Sequence, residues 1–457
     1  MQADCYIYDD VNRQFGVDEA DHARWERRLK RLRPGLARIF LPTSEFNPSG
    51  DGKTYDWNTI ELQRQYRNLA VLRDAGARVN LCLGPWTNKR MTEPGSEQLA
   101  VDLVEHLLND CGFDHIGWLS LFNEPDAIYA PDTPLNADLK ARGFGGGLPF
   151  GDYLEKHHAA LALLQARGLG KQVRLVVGDM AWPPARRLEW LRLLAPEFGP
   201  DASYSFHHYA PDEESFDHFF AVPESRPFRP PPLADEVRGY RAAVGPDAEL
   251  ICWEFNQAGW SIGGSAAFMG VGAHGEDHVG SFATAVAHAR KVLTMLGHGV
   301  DALSHWCVGD MFYRSGLKQG VMYCGLWRYR WESWVPRPVY FYYAALIDAF
   351  RPGNPVHALA GLPAKTAGLA ARGTDGSMTI ALLNHGSETV HVSLAVAASL
   401  RRLRISPDRL PRRPDVLDRE TVTGETPLAD WQAVEADTAT HPVQIDPQEL
   451  TLLRDRA

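Results

Sequence analysis

The sequence predicts a (β/α)8 TIM barrel followed by a C-terminal antiparallel β-sandwich, and three features of the chain predict it. Eight apolar, strand-like runs of four to eight residues alternate with longer segments of helical period. The connections between them are asymmetric. Turns from helix into strand are short and marked by glycine (Pro34-Gly35, Ala75-Gly76, Gly245-Pro246), whereas those from strand into helix are long and rich in aromatics, Pro and Gly (126–152, 210–232, 259–280, 309–338). Ornate loops at the strand C-termini and minimal ones opposite describe a parallel barrel with its site on the ornate face. The third feature is a change of character after residue 350.

In chain order the predicted strands are 5–8, 36–41, 78–83, 116–122, 173–177, 202–206, 250–253 and 302–306. The helix-period runs are 19–32, 60–74, 98–108, 153–166, 186–194, 282–296 and 341–350. A doubly wound open sheet is the competing architecture, but no glycine-rich phosphate turn follows the first strand and eight units are available for closure. Arg351-Pro352-Gly353-Asn354-Pro355 then breaks the helical rhythm. Beyond it, short alternating runs at 378–383, 390–394, 400–405, 443–445 and 450–453 suit a small sandwich. The expected division is a catalytic barrel over 1–350 and a β-domain over 351–457.

Composition narrows the functional classes. The 457 residues are 45% hydrophobic and 23% charged, and the net charge of −10 comes with both signs mixed and no polybasic block. That argues against nucleic acid and against anionic membrane surfaces as partners. No run reaches the ~18 apolar residues of a membrane span. Six cysteines are too sparse for a disulfide scaffold, and no CxxC pair suggests zinc or redox chemistry. Residues 1–10 lack the basic and apolar regions of a secretory signal, so the expectation is a cytoplasmic protein.

Two acids stand where barrel chemistry belongs. The fourth predicted strand ends in Phe122-Asn123-Glu124-Pro125, and the seventh in Trp253-Glu254-Phe255-Asn256. Each carboxylate follows an apolar run and so enters the barrel mouth, and strands four and seven face each other across a closed barrel. Opposed carboxylates are what glycosidic cleavage requires, one to protonate the leaving oxygen and one to attack or activate water. A lone Glu is more often half of a structural ion pair; the strand-end placement of both favours chemistry.

At these residues the sequence resembles the glycoside hydrolases of clan A, retaining (β/α)8 enzymes with the acid/base on strand four and the nucleophile on strand seven. The resemblance implies that Glu124 is the acid/base and Glu254 the nucleophile. Ser205-Phe206-His207-His208-Tyr209 resembles the Ser-x-His-x-Tyr pattern of glycoside hydrolase family 39, the β-xylosidases and α-L-iduronidases. Phe122 stands where Trp often precedes Asn-Glu-Pro.

Supporting roles follow from position. A charge inside a barrel strand must find a partner, which makes Arg38 the candidate cation beside Glu254. Asn123 is expected to hydrogen-bond a sugar hydroxyl. Period-two alternation puts Ser205, His207 and Tyr209 on one face, with Tyr209 toward the nucleophile and His207 toward the sugar, and turns His208 to the other face. Among the loop tryptophans, Trp306 and Trp86 are the candidate stacking platforms for apolar sugar faces; Trp182, Trp260, Trp327, Trp331 and Trp334 are read as loop packing. No metal and no cofactor are expected. The rival readings are a metal-dependent barrel hydrolase, for which His274 to His278 is the tempting cluster, and a non-catalytic carbohydrate-binding barrel.

Overall fold

The computed structural model describes residues 1–84, 89–141, 146–181, 183–209, 231–256, 280–312, 321–394, 400–409, 432–433 and 442–455. Seven parallel strands form one curved sheet in chain order: β1 (Leu36–Phe40), β2 (Arg78–Cys82), β3 (Ile116–Ser120), β4 (Arg174–Met180), β5 (Ser203–His208), β6 (Glu249–Phe255) and β7 (Ala302–His305). Around them lie α1 (Glu19–Leu32), α2 (Ile60–Asp74), α3 (Ser96–Glu105), α4 (Phe150–Ala166), α5 (Pro184–Phe198), α6 (Leu233–Val244), α7 (Phe282–Gly297) and α8 (Pro338–Ala349). Helix α6 is missing from the predicted segments. Its buried stripe is only Leu233, Val237 and Tyr240, interrupted by the buried acid Glu236.

The predicted first strand at 5–8 is corrected: Cys5–Tyr8 is a 3-10 turn. Closure comes instead from the residues just before it. Gln2 bridges Arg38 in parallel, its amide donates to His305 O at 2.8 Å, and Val308 N donates back to Gln2 O at 3.0 Å. Residues 1–3 are thus a short eighth stave between β1 and β7. They stop pairing because the Asp4 carboxylate accepts the Phe40 amide at 2.7 Å, the donor a continuing strand would have used. Extended apolar composition alone does not reveal such a side-chain substitution.

Trp118, Val176, Ile251 and Trp253 pack together with Leu36 and Ala302, apart from the main core. They come from five of the seven strands, so the cluster plugs the inside of the barrel. With Ile251 and Trp253 inward, strict alternation would send Glu254 outward. The register slips between Cys252 and Phe255 against β7, and between Phe206 and His207 against β6. This bulge turns Glu254 into the barrel above Trp253, the usual use of an extra residue at a strand end.

The β-domain has a six-stranded antiparallel sheet and a two-stranded one. Its described strands are β8 (Val356–Ala358), β9 (Thr366–Arg372), β10 (Met378–Asn384), β11 (Val390–Val392), β12 (Leu400–Ile405), β13 (Gln432–Ala433), β14 (Val443–Ile445) and β15 (Leu450–Asp455), and β11 pairs with β14 in the smaller sheet. Alternation gives this sheet two apolar faces. Ile380 and Leu382 join Val392, Val443 and Ile445 in the inter-sheet core, while Ala381, Leu383, Leu450 and Leu452 belong to the main core shared with α7 and α8. Among the described residues no helix is long and apolar enough to cross a membrane.

Candidate active site

Glu124 and Glu254 both reach the mouth at the C-terminal end of the strands. Glu124 lies four residues beyond Ser120, the last paired position of β3, at φ +52°, and its amide donates to Asp179 O at 3.2 Å. Glu254 is buried, and the Glu124 side chain is 13% exposed. One carboxylate oxygen from each lies within 4.8 Å of the other and of the His207 ring.

The cations are shared. Arg38 is fully buried in β1, and one Nη donates to Glu254 Oε1. Its other Nη donates to Asn123 Oδ1 at 2.6 Å, to Asp179 Oδ2 at 2.5 Å and to Cys82 Sγ at 3.2 Å. Burial works against the guanidinium charge, but Asp179, Cys82 and Glu254 more than restore it. His207 sits at the centre. Its Nδ1 is 3.1 Å from Glu124 and 3.6 Å from Glu254, and its Nε2 is 3.1 Å from Asp179. Burial pulls the imidazole down; Glu254 and Asp179 outweigh it and push the group up to about 10. The Tyr209 hydroxyl donates to Glu254 Oε2 at 2.5 Å. Burial raises the Glu254 carboxyl, as does Glu124, against the opposing pull of His207 and Arg38.

Alternation along β5 holds at the mouth. Ser205, His207 and Tyr209 all meet the acidic cluster, Ser205 through a 2.5 Å bond to Asp179. His208 faces the other way, 3.7 Å from buried Glu236, and burial lowers it to about 4.

Asp179 is the residue the sequence reading missed. The strand was ended at Val177, yet β4 runs to Met180 through a register shift between Gly178 and Met180. Gly178 is at φ +97°, and a Cβ there would lie 2.6 Å from Ser205 O, so only glycine fits. The bulge turns Asp179 inward at φ +66°. Burial raises its carboxyl, but Arg38 and His207 hold it at about 2. An acid within two residues of the end of an apolar run, the signal that marks Glu124 and Glu254, is present here too.

Trp306 directly follows β7 with only 5% of its surface exposed, its ring edge-on to Tyr209 at 6.0 Å between centroids. Trp327 and Trp334 pack on Trp25. Trp331 stands out at 53% exposure. Trp86, Trp182, Trp260 and the cluster from His274 to His278 lie outside the described residues. None of the six cysteines is in a disulfide.

No family model matches this sequence, and no curated protein does. Solved structures do. A glycoside hydrolase family 30 subfamily 8 xylanase from Clostridium acetobutylicum superposes at a TM-score of 0.57 and 14% identity, over 100% of this chain and 95% of that one. The catalytic domain of GH30 xylanase C from Talaromyces cellulolyticus gives 0.63 and 10%, over 100% and 96%. A GH51 arabinofuranosidase from Xanthomonas axonopodis pv. citri gives 0.54 and 10%, over 96% and 90%. What the chain shares with these three is a fold, the (β/α)8 barrel with its C-terminal β-sandwich.

Proposed function

We propose that the chain is a retaining glycoside hydrolase that cleaves an oligo- or polysaccharide by double displacement, with Glu254 as nucleophile and Glu124 as general acid and base. The observation that carries this reading is the approach of the two carboxylates to within 4.8 Å across the mouth. Carboxyl groups ~5–5.5 Å apart suit direct attack on the anomeric carbon, whereas ~6.5–9.5 Å leaves room for an intervening water and gives inversion. That two xylanases and an arabinofuranosidase share the fold supports a glycan substrate, and Ser205-x-His207-x-Tyr209 supports an affinity with glycoside hydrolase family 39.

Charge counting supports the division of labour. Arg38 and charged His207 face the carboxylates of Asp179, Glu124 and Glu254, so one proton on the glutamate pair neutralises a cluster that burial penalises when charged. Arg38 and Tyr209 both donate to Glu254, which favours it as the ionised member. In the first step a Glu254 oxygen bonds the anomeric carbon as the glycosidic C–O bond breaks, and the leaving oxygen takes the proton from Glu124. In the second step water gives a proton to Glu124 and its oxygen displaces Glu254, regenerating both groups. Asn123, whose carbonyl oxygen is held by Arg38, keeps its amide N–H groups for a sugar hydroxyl. His207 would hold the sugar or the acid/base, and Trp306, with Trp86 as the sequence expectation, would pack against the sugar face.

The spacing of Glu124, His207 and Glu254 also suits three metal ligands. The surroundings oppose it: a cation would compete with the Arg38 guanidinium for Glu254 and displace a proton from His207, which Glu254 and Asp179 push up to about 10. Chelator should leave activity unchanged, and loss of turnover restored by a divalent ion would replace this mechanism. The direct test is trapping with a 2-fluoro-glycoside from a panel of aryl sugars, followed by peptide mapping. A label on Glu254 is expected, and one on any other residue removes its role.

A further inference from the structure

We infer that Phe15, Phe312 and Trp331 form a second carbohydrate subsite, a corner on the barrel rim that holds a sugar unit remote from the bond being cut. The inference rests on the glycosidase reading for its place in a reaction, and on the surface itself for its chemistry. Phe15 belongs to the loop after the first stave and Phe312 and Trp331 to the loop after β7, so all three lie at the strand C-termini, the end that carries Glu124 and Glu254.

The described surface exposes four large hydrophobics: Phe15 at 48%, Trp331 at 53%, Ile60 and Leu148. Scattered single apolar residues such as the last two are ordinary; an aromatic pair is not. The Phe15 ring stacks flat on Phe312, with centroids 4.0 Å apart and planes 3° apart. Trp331 stands at 85° to both, 6.2 Å from Phe15 and 5.9 Å from Phe312. The result is a floor and a wall. A pyranose laid on the floor meets a π face with its C–H groups and the indole with its edge.

The corner is held in place before any ligand arrives. Buried Asn12 accepts from Phe312 N at 3.1 Å and from the Tyr329 hydroxyl at 2.9 Å, and donates to Phe312 O at 3.1 Å and to Tyr6 O at 2.7 Å. Trp331 is braced by the Tyr329 ring, 4.6 Å away between centroids. Arg330, bonded to Asp21 at 2.9 Å and 41% exposed, supplies a polar flank for sugar hydroxyls. Size selects the occupant. Two half-exposed aromatic rings offer about 200 Å², far below the ~800 Å² per partner of a stable protein interface and suited to one or two sugar rings.

The test is native affinity electrophoresis of the full chain through gels containing xylan, arabinan or β-1,6-glucan, run beside aryl-glycoside assays of the same preparations. Wild type and Ile60→Ala should be retarded equally by at least one polysaccharide. Trp331→Ala and Phe15→Ala should each lose roughly three- to tenfold in apparent affinity, with thermal midpoints near wild type showing that the fold persists. Undiminished retardation of both variants overturns the subsite, as does a wild type that none of the three polysaccharides retards. Retardation lost in the variants of a chain that turns over no glycoside would keep the subsite and remove the reaction; turnover with unaltered retardation would do the reverse.

Discussion

In the proposed mechanism Glu124 gives a proton to the leaving oxygen and later takes one from water, and the two tasks separate in the kinetics of a variant. Glu124→Ala should lower kcat on natural glycosides by about 10²–10⁴-fold and lower it far less on aryl glycosides whose leaving groups need no proton. Equal losses on both would remove the acid role. Glu254→Gln should reduce turnover on every substrate to background while the chain keeps its wild-type thermal midpoint, and measurable activity would remove the nucleophile. Positions 124 and 254 were legible because each polar residue ended an apolar strand. Asp179 closes an apolar run too, but Gly178 stands between it and Val177 and reads as the end of the strand, whereas it is the residue that lets the strand bulge and turn the acid inward.

His207 adds a pH signature. Its folded-state value of about 10 stands above the ordinary 6.5, so the stabilisation from its charge is complete below pH 6.5 and is lost as pH rises through about 10. His207→Gln lacks that contribution. The thermal midpoint of wild type should exceed that of the variant most below pH 6.5, and the gap should close toward pH 10. A constant gap across that interval would mean that the imidazole is not held charged. Asp179 behaves in the opposite sense: held at about 2, it stabilises above its ordinary 3.8 and loses that contribution as pH falls through about 2.

At the scale of elements, what must be fixed is the long connection that follows β7 and carries Phe312 and Trp331. Asp310 and Arg337, both wholly buried, pair through two bonds of 2.7 and 2.8 Å, and Arg337 also donates to Gly325 O at 2.8 Å. Removing one member leaves an unpaired buried charge. Arg337→Met should destabilise the fold by about 3–5 kcal/mol, measured by urea unfolding, and a loss below 1 kcal/mol would show that the pair is not what anchors the connection. Such a pairing joins residues 27 positions apart inside a loop, with no periodicity to announce it. The helices α1 and α2 were readable to the residue because caps mark their starts: Asp18 and Asp21 make a capping box, and Thr59 Oγ1 accepts from Leu62 N. The first stave was not, because a side chain of Asp4 ends it.

For the whole molecule, the change of character at residue 350 marked the β-domain, but composition could not show how it is attached. Its large sheet turns Ala381, Leu383, Leu450 and Leu452 into the same core as α7 and α8, and Arg454 pairs with Asp348 at 2.9 Å. We propose the boundary near 350 as a division of architecture rather than of stability. Thermal unfolding of the full chain should be one cooperative transition, and a fragment 1–350 should be insoluble or unfold well below it. Two separated transitions would make the units independent. The reaction itself is settled by the stereochemistry of its first product, followed by proton NMR within the first minutes of cleavage, before mutarotation. The account predicts that the released sugar keeps the anomeric configuration of the substrate; initial appearance of the opposite anomer would contradict it.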